Sequence, residues 1–264
     1  MNVASATIEA AELRLRRPAP SLRPFLGCFW SITTTTATRL RTLPDACTTL
    51  CVQRTKGKGP KCFLIGPQLT PSERAPGAGQ VFFGVRLRPG VAFLLTKRAV
   101  HEVTNRRVAL AAIMPDDAAR MERQIAAVAR TEERLDILEE FLLLRLNGVQ
   151  IDSRVEDALQ QIARRCGDLH VSQLARDCQV SSRHLDRLLR TWVGLSPKRI
   201  ARIVRFQVLL QRIETSRAGG SAYLAAELGY YDQSHLANEV AQFAAESSWR
   251  VARHVADFSK TRCE

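Results

Sequence analysis

The stretch Leu228-Gly229-Tyr230-Tyr231-Asp232-Gln233-Ser234-His235-Leu236 decides the reading of this chain. Gly229 permits a tight turn after an apolar residue, Asp232 can cap the helix that follows, and Leu236 is that helix's first inward position. Gln233, Ser234, His235 and Asn238 are left facing outward. A weaker copy of the pattern lies upstream. Leu174-Ala175 precedes His184-Leu185 as Leu224-Ala225 precedes His235-Leu236, the second copy being one residue longer. Ser196 and Ser247 follow Leu185 and Leu236 at the same offset. Two copies of one helical unit explain this spacing, each reading as helix, tight turn, helix.

In the first copy, Ser172 is expected as an N-cap, with Leu174, Ala175 and Cys178 buried. Gln179-Val180 makes the turn and Ser181 caps a second helix, which turns Leu185, Leu188 and Leu189 inward. Ser182, Arg183, Asp186, Arg187 and Arg190 then form an outward face that fits a major groove. In the second copy Leu224, Ala225 and Leu228 pack. Between the copies, Ser196-Pro197 opens a helix with a cap and a proline at the first helical position. Ile200, Ile203, Phe206, Leu210 and Ile213 give it a continuous apolar stripe. Such a rigid linking helix fixes the distance between two recognition helices. About 34 Å would let them reach successive major-groove segments.

The first ~110 residues are β-rich, made of short strand-like runs between Pro and Gly breakers. The runs Phe25 to Trp30, Thr48 to Gln53, Phe63 to Ile65 and Val81 to Leu87 are separated by breakers at Pro44-Asp45, Gly57 to Pro60, Gly66-Pro67 and Pro76 to Gly79. Helices follow. One starts at Asp116-Asp117, with Met121, Ile125 and Val128 inward. The next starts at Thr131 and carries Leu135, Leu138, Leu142 and Leu146 as a stripe, read as core and not as a dimer seam, with Gly148 as its C-cap. The expected fold is α+β: a β-rich domain over 1–147, read as a cupin-like barrel with trailing helices, a linker over 148–154, and an all-α domain over 155–264.

Bulk properties agree with a cytoplasmic protein. The chain has 264 residues, no apolar run approaches the ~18 residues that span a bilayer, and Met1 to Glu12 lacks the order of a secretory signal. The net charge is +13, which favours a polyanionic partner. The seven cysteines are too scattered and odd in number for a disulfide framework. Cys28, Cys47, Cys51 and Cys62 cluster in the first quarter, but Cys47 and Cys51 sit in a strand-like run as small core residues. No metal site and no cofactor are assigned.

These residues resemble the AraC/XylS transcription regulators across essentially all of 155 to 257. The resemblance rests on Leu174-Ala175, on Ser181 with His184-Leu185 and Arg187, and on Gly194-Leu195-Ser196-Pro197. Arg202, Arg205 and the string from Leu228 to Leu236 complete it. The N-terminal half is similar to the sensor half of one AraC-type subgroup, through Pro44-Asp45-Ala46-Cys47 and the run Gly84 to Gly90. The resemblance implies a non-enzymatic, sequence-specific regulator whose partner is double-stranded DNA. Further partners it brings with it are RNA polymerase, a small-molecule effector and a second copy of the chain; a membrane is not among them. Where the family has an arginine in the second recognition helix this chain has Asn238. It has Val240 for an aromatic, Ser248 for a proline, and Val251-Ala252 for a Tyr-Arg pair.

Within this motif the expected DNA-contacting residues are Ser181, Ser182, Arg183, His184, Asp186, Arg187, Arg190, Lys198, Arg199 and Arg202, then Gln233, Ser234, His235 and Asn238. Arg183 and Arg187 are placed to read guanine edges. Asp186 accepts from a cytosine amino group or orients a neighbouring arginine. Arg190, Lys198 and Arg199 contact phosphates, which position without specifying. His184 and His235 are read as capping or phosphate-proximal. Seven basic residues against Asp186 alone lie between Arg183 and Arg205, whereas four acids and no Lys or Arg lie between Ala218 and Trp249. The first unit is therefore expected to dominate binding. Arg86 and Arg88 are candidates for an anionic effector, beside Arg106-Arg107.

Two alternatives stand beside this reading. Some proteins join such a DNA-binding module to a cysteine that accepts alkyl groups in DNA repair, but no cysteine here is followed by histidine, and Gly-x-Ser-x-Gly, P-loop and His-Glu-x-x-His motifs are missing. The other makes the front half a dimerisation or partner-binding platform without a small ligand.

Overall fold

A computed structural model of the chain describes residues 11–37, 39–215 and 225–244. The alternation in β7 (Val81–Leu87) organises the N-terminal part. Phe83, Val85 and Leu87 point to one face of the strand, and Phe82 and Arg86 to the other. β7 lies at the centre of a six-stranded antiparallel sheet of order β1-β2-β7-β4-β5-β8, made with β1 (Ala11–Arg16), β2 (Leu26–Thr34), β4 (Thr48–Arg54), β5 (Lys61–Ile65) and β8 (Arg107–Ala109). β3 (Leu40–Thr42) and β6 (Ser72–Arg74) form a separate antiparallel ribbon. Gly84 is opposite Cys51 of β4, and a Cβ there would lie 2.3 Å from the Leu50 carbonyl oxygen. The strand can pack this closely only without a side chain at that position.

One face of the sheet is covered by helices. Phe29, Leu50, Val52, Leu64, Phe83 and Val85 pack against α1 (Val91–Thr96), α2 (Pro115–Ala127) and α3 (Thr131–Leu146) in one buried cluster. α2 begins with Pro115, and Asp116 and Asp117 in its first turn complement the helix dipole. Met121, Ile125, Leu135, Leu138, Leu142 and Leu146 are buried, so the leucine stripe is core. Val128 does not belong to the inner face of α2. It is the extended residue that ends the helix, and it is half-buried. On the other sheet face Ile32, Leu40 and Phe82 pack with Leu13 and Trp30 beneath the ribbon.

The C-terminal part is helical. It contains α4 (Ser153–Arg164), α5 (Val171–Asp177), α6 (Ser182–Val193), α7 (Pro197–Thr215), a helical segment over 225–227, and α8 (Gln233–Ala244). Val155, Ile162, Leu174, Leu185, Leu189, Ile200, Ile203, Phe206, Leu210, Leu228, Leu236 and Val240 share one core. The chain is thus α+β, a β-sheet part followed by a helical part. Ser172 is not an N-cap: α5 starts one residue earlier, behind His170, which leaves Ser172 inside the first turn. β4 begins at Thr48, so Cys47 precedes the strand, and β2 starts at Leu26, one residue after Phe25. Leu224, Ser247, Ser248, Val251 and Ala252 lie outside the described residues, as does the side chain of Ile213.

The two parts touch along a defined seam. Phe93 of α1 meets the Trp192 ring of α6 at 4.4 Å between centroids. Thr104 Oγ1 donates to the Gly194 carbonyl at 2.9 Å, and Gln207 Nε2 of α7 donates to the Pro44 carbonyl at 2.9 Å. Ile151, between α3 and α4, packs against both cores. None of the helices among the described residues is long and apolar enough to cross a membrane.

Candidate nucleic-acid interface and the cavity beside it

The turn between α5 and α6 places Gln179 at φ +56°, a left-handed conformation that a non-glycine residue adopts at some cost. Ser181 then caps α6, its side chain accepting from the His184 amide at 3.1 Å. Leu185 and Leu189 are buried and Leu188 is half-buried, which leaves Ser182, Arg183, Arg187 and Arg190 exposed. Arg190 Nε donates to Asp186 at 2.6 Å, so Asp186 orients Arg190. The His184 ring lies between two guanidinium groups, with Nε2 3.4 Å from Arg154 and Nδ1 3.2 Å from Arg187. A neutral imidazole accepts at one nitrogen only, so it can hold one of these arginines at a time. Arg154 is in turn held by Asp152, the N-cap of α4, whose carboxyl is pulled below its ordinary range first by the hydrogen bond from Arg154.

α7 begins on Ser196 and Pro197, with the Arg199 amide donating to Ser196 Oγ at 3.4 Å. Lys198 and Arg199 are exposed at that end. Arg202 and Arg205 are placed differently. Arg202 donates to Glu239 at 2.8 Å and to Gln242 at 2.6 Å, and it lies over the Phe243 ring. Arg205 donates to the Gly167 carbonyl at 3.0 Å and packs over Tyr230. Both arginines therefore bind α7 to its neighbours, and Arg202, expected as a DNA contact, is paired with Glu239 while a third of its side chain stays exposed.

The described residues 225–244 also hold a left-handed turn followed by a capped helix. Gly229 makes its turn at φ +68°, and Asp232 accepts from the His235 amide at 2.7 Å to cap α8. Gln233, Ser234, His235 and Asn238 are exposed on the first turns, while Leu236, Glu239 and Val240 are buried. Glu239 also accepts from the Tyr230 hydroxyl at 3.0 Å. Burial first, and then the Glu239 charge, drives the Tyr230 phenol well above its usual range. Glu227 pairs with Arg212 at 3.0 Å. Two of the acids that made the second unit look negative are thus neutralised by arginines of α7, and the charge contrast between the two outward faces is smaller than the sequence suggests.

A second candidate site, of which only Arg86 was expected, lies in the N-terminal part. The cavity under the β3–β6 ribbon has a volume of about 170 Å³ and is lined mainly by apolar groups, among them Leu13, Trp30, Ile32, Leu40 and Phe82. Arg86 reaches its floor and pairs with Asp45 at 2.6 Å, both side chains being largely buried. Burial works against the Arg86 charge, but Asp45 and then Cys47 more than compensate, so the guanidinium stays ionised. This pair joins the two N-terminal motifs, Pro44 to Cys47 and Gly84 to Gly90. Arg88 lies elsewhere, donating to the Leu26 carbonyl at 3.2 Å. Arg86 is thus the one of the two effector candidates that lines the cavity. Its charge is already matched.

Burial pushes the Cys47 thiol up to about 12, with Arg86 partly opposing, and burial pushes Cys51 to about 11 and Cys62 to about 12. At pH 8 such thiols are ionised in only about one molecule in a thousand to one in ten thousand, and only the thiolate is nucleophilic. Native protein treated with iodoacetamide at pH 8 should therefore leave Cys47, Cys51 and Cys62 unmodified by peptide mass spectrometry, while urea-unfolded protein is labelled at all three. Rapid labelling of native Cys47 would show this account of its environment to be wrong.

Comparison with known proteins gives the following. A family model described as a domain of unknown function (DUF6597) matches residues 14–109, the span from β1 to β8. No curated protein sequence matches the chain. Among solved structures it is similar to ToxT from Vibrio cholerae, at 7% identity and a TM-score of 0.43, over 93% of this chain and 99% of that one. A ToxT structure with bound unsaturated fatty acid gives 8% identity and 0.41 over the whole of both chains. A transcriptional regulator with an AraC-type DNA-binding domain, from Chromobacterium violaceum, gives 15% identity and 0.37 over 39% of this chain and 93% of that one.

Proposed function

We propose that the chain is a sequence-specific DNA-binding transcription regulator of the AraC/XylS kind, in which α5–α6 and the segment ending in α8 are two helix-turn-helix units joined by α7. In this reading the β-sheet part is a cupin-like barrel that holds a small-molecule effector. The observation that carries it is the pair of capped helices, α6 behind Ser181 and α8 behind Asp232. Each follows a left-handed turn and has its apolar side in one shared core. Their exposed first turns present Ser182, Arg183 and Arg187 in one unit and Gln233, Ser234 and Asn238 in the other. These are the side chains that read base edges in a major groove.

The first unit dominates. Arg183, Arg187, Arg190, Lys198 and Arg199 are exposed cations on it, whereas the described face of α8 bears none. Arg202 acts at one remove, by fixing α8 to α7 through Glu239. The test begins by selecting bound sequences from random DNA. The full chain and two variants are then titrated against the selected duplex by fluorescence anisotropy at fixed salt. Arg187→Ala should weaken binding about 10- to 100-fold, the effect of one lost arginine–guanine contact, and Gln233→Ala only severalfold. Equal losses would remove the asymmetry. Failure to enrich any sequence would remove the DNA-binding reading itself.

A further inference from the structure

An open groove of about 570 Å³ runs across the helical part, and three elements wall it. The entry to α5 supplies His170, the first half of α7 supplies Lys198, Arg202 and Arg205, and α8 supplies His235, Asn238 and Glu239. Three cations thus line it against one carboxylate, and Glu239 is buried and paired with Arg202. Beside the groove, Asp168 is exposed and stands 3.9 Å from Arg205. The two arginines of the floor are held, Arg202 by Glu239 and Arg205 by the Gly167 carbonyl.

The rim is different. Lys198 and His170 are exposed, and their side chains have no polar partner among the described residues. His170 occupies the N-cap position of α5 without making a side-chain cap bond. The His235 ring accepts at Nδ1 from the Tyr231 amide at 3.4 Å, which leaves Nε2 to donate. The groups that can meet a ligand are therefore an ammonium and two imidazole N–H donors, with positive charge behind them. Such a set suits an anion and repels a cation.

His235 and Asn238 belong to two sets at once. They line the groove, and they stand on the exposed first turns of α8 that are assigned to the major groove. The groove therefore opens on the same side as those contacts. Two recognition helices set in successive major-groove segments leave a length of sugar–phosphate backbone that has to cross between them. The linking helix and this groove lie in that interval.

We propose that the groove seats a backbone phosphate of the duplex, held by Lys198 and His170 and closed from the second unit by His235. This rests on the DNA-binding reading and deepens it, because the phosphate is gripped by both units at once. The cations missing from the described face of α8 are supplied across the groove by α7. A phosphate contact carries no base information, so its role is to fix the register of the two helices on the duplex.

The test uses the full chain and the selected duplex of the anisotropy titration. Lys198→Ala and His170→Ala should each weaken binding about three- to tenfold, and equally on a scrambled duplex, since the phosphates are the same in both. Lys198→Ala should also lower the slope of log Kd against log salt by about one. Both side chains are exposed and neither caps a helix, so urea midpoints should match wild type. Phosphates between the two base-contacted segments are then replaced singly by uncharged methylphosphonates. At one or two positions the replacement should weaken wild type as much as Lys198→Ala does, and should not weaken Lys198→Ala further. Unchanged affinity in either variant, a loss confined to the selected duplex, or additive losses at every phosphate overturns the groove contact while leaving DNA binding in place. A chain that enriches no sequence and binds neither duplex overturns the groove contact and the DNA-binding reading together.

Discussion

Asp45→Ala should lower the stability of the full chain by about 3–5 kcal/mol, the loss typical when one partner of a buried ion pair is removed. The Arg86 guanidinium would then remain on the cavity floor without its counter-ion, in a position largely closed to water. The measurement is a urea unfolding curve, where the midpoint should fall with little change in slope. Replacing both partners together, as Asp45→Leu with Arg86→Met, should recover much of the loss, because no uncompensated charge is left behind. A loss below about 1 kcal/mol for Asp45→Ala would mean that the pair behaves as a solvent-exposed bridge and that the cavity floor is wetter than its burial implies.

The second large effect is expected at Glu239. This carboxylate is 4% exposed and serves two groups, Arg202 of α7 and the hydroxyl of Tyr230. Glu239→Ala should destabilise the chain by about 2–3 kcal/mol, somewhat less than a fully buried pair because Arg202 is a third exposed. The loss should be local. Amide hydrogen exchange over Gln233–Ala244 should accelerate while exchange in the six-stranded sheet stays unchanged. Glu239→Gln keeps one acceptor and should lose about half as much. Uniform acceleration across both parts of the chain would show that Glu239 supports the whole fold and not the α7–α8 contact.

These two positions separate what a local sequence pattern encodes from what packing adds. The Pro44-Asp45-Ala46-Cys47 string and the Gly84 to Gly90 run are legible as separate motifs, and Arg86 as a candidate for an anionic effector. Their connection was not visible. Asp45 and Arg86 are 41 residues apart in the chain, and nothing in a period-two pattern says that a turn ahead of β4 folds over the floor of β7. Glu239 and Arg202 were likewise counted as an acid of the second unit and a DNA-facing base of the first. A charge tally treats every ionised group as solvated, so it exaggerated a contrast that the fold partly cancels.

The errors in local structure have similar causes. Ser172 looked like a cap because serine is a frequent one, but α5 starts at Val171, and a serine at its second position adds no cap. Val128 fitted the helical spacing of Met121 and Ile125, yet α2 ends at Ala127 before the spacing can be completed. Gln207 gave no signal at all. A glutamine between Phe206 and Val208 is an ordinary flank of an apolar helix stripe, and its significance comes only from the Pro44 carbonyl, which lies in the other half of the protein.

The sequence alone determined the elements of this protein, because helix periodicity, caps and turn residues are encoded within a few positions of one another. Asp232 and Ser181 cap the helices they were expected to cap, the leucines of α3 are core, and β7 runs over the seven residues that its alternation indicated. Tertiary structure decided which charges are available and which are spent. Whether Arg86, Arg202 or Arg205 faces a ligand, a phosphate or a carboxylate depends on segments distant in sequence. Burial strengthens those pairings and water weakens the exposed ones, so the groups that are engaged are fixed only when segments far apart in the chain pack together.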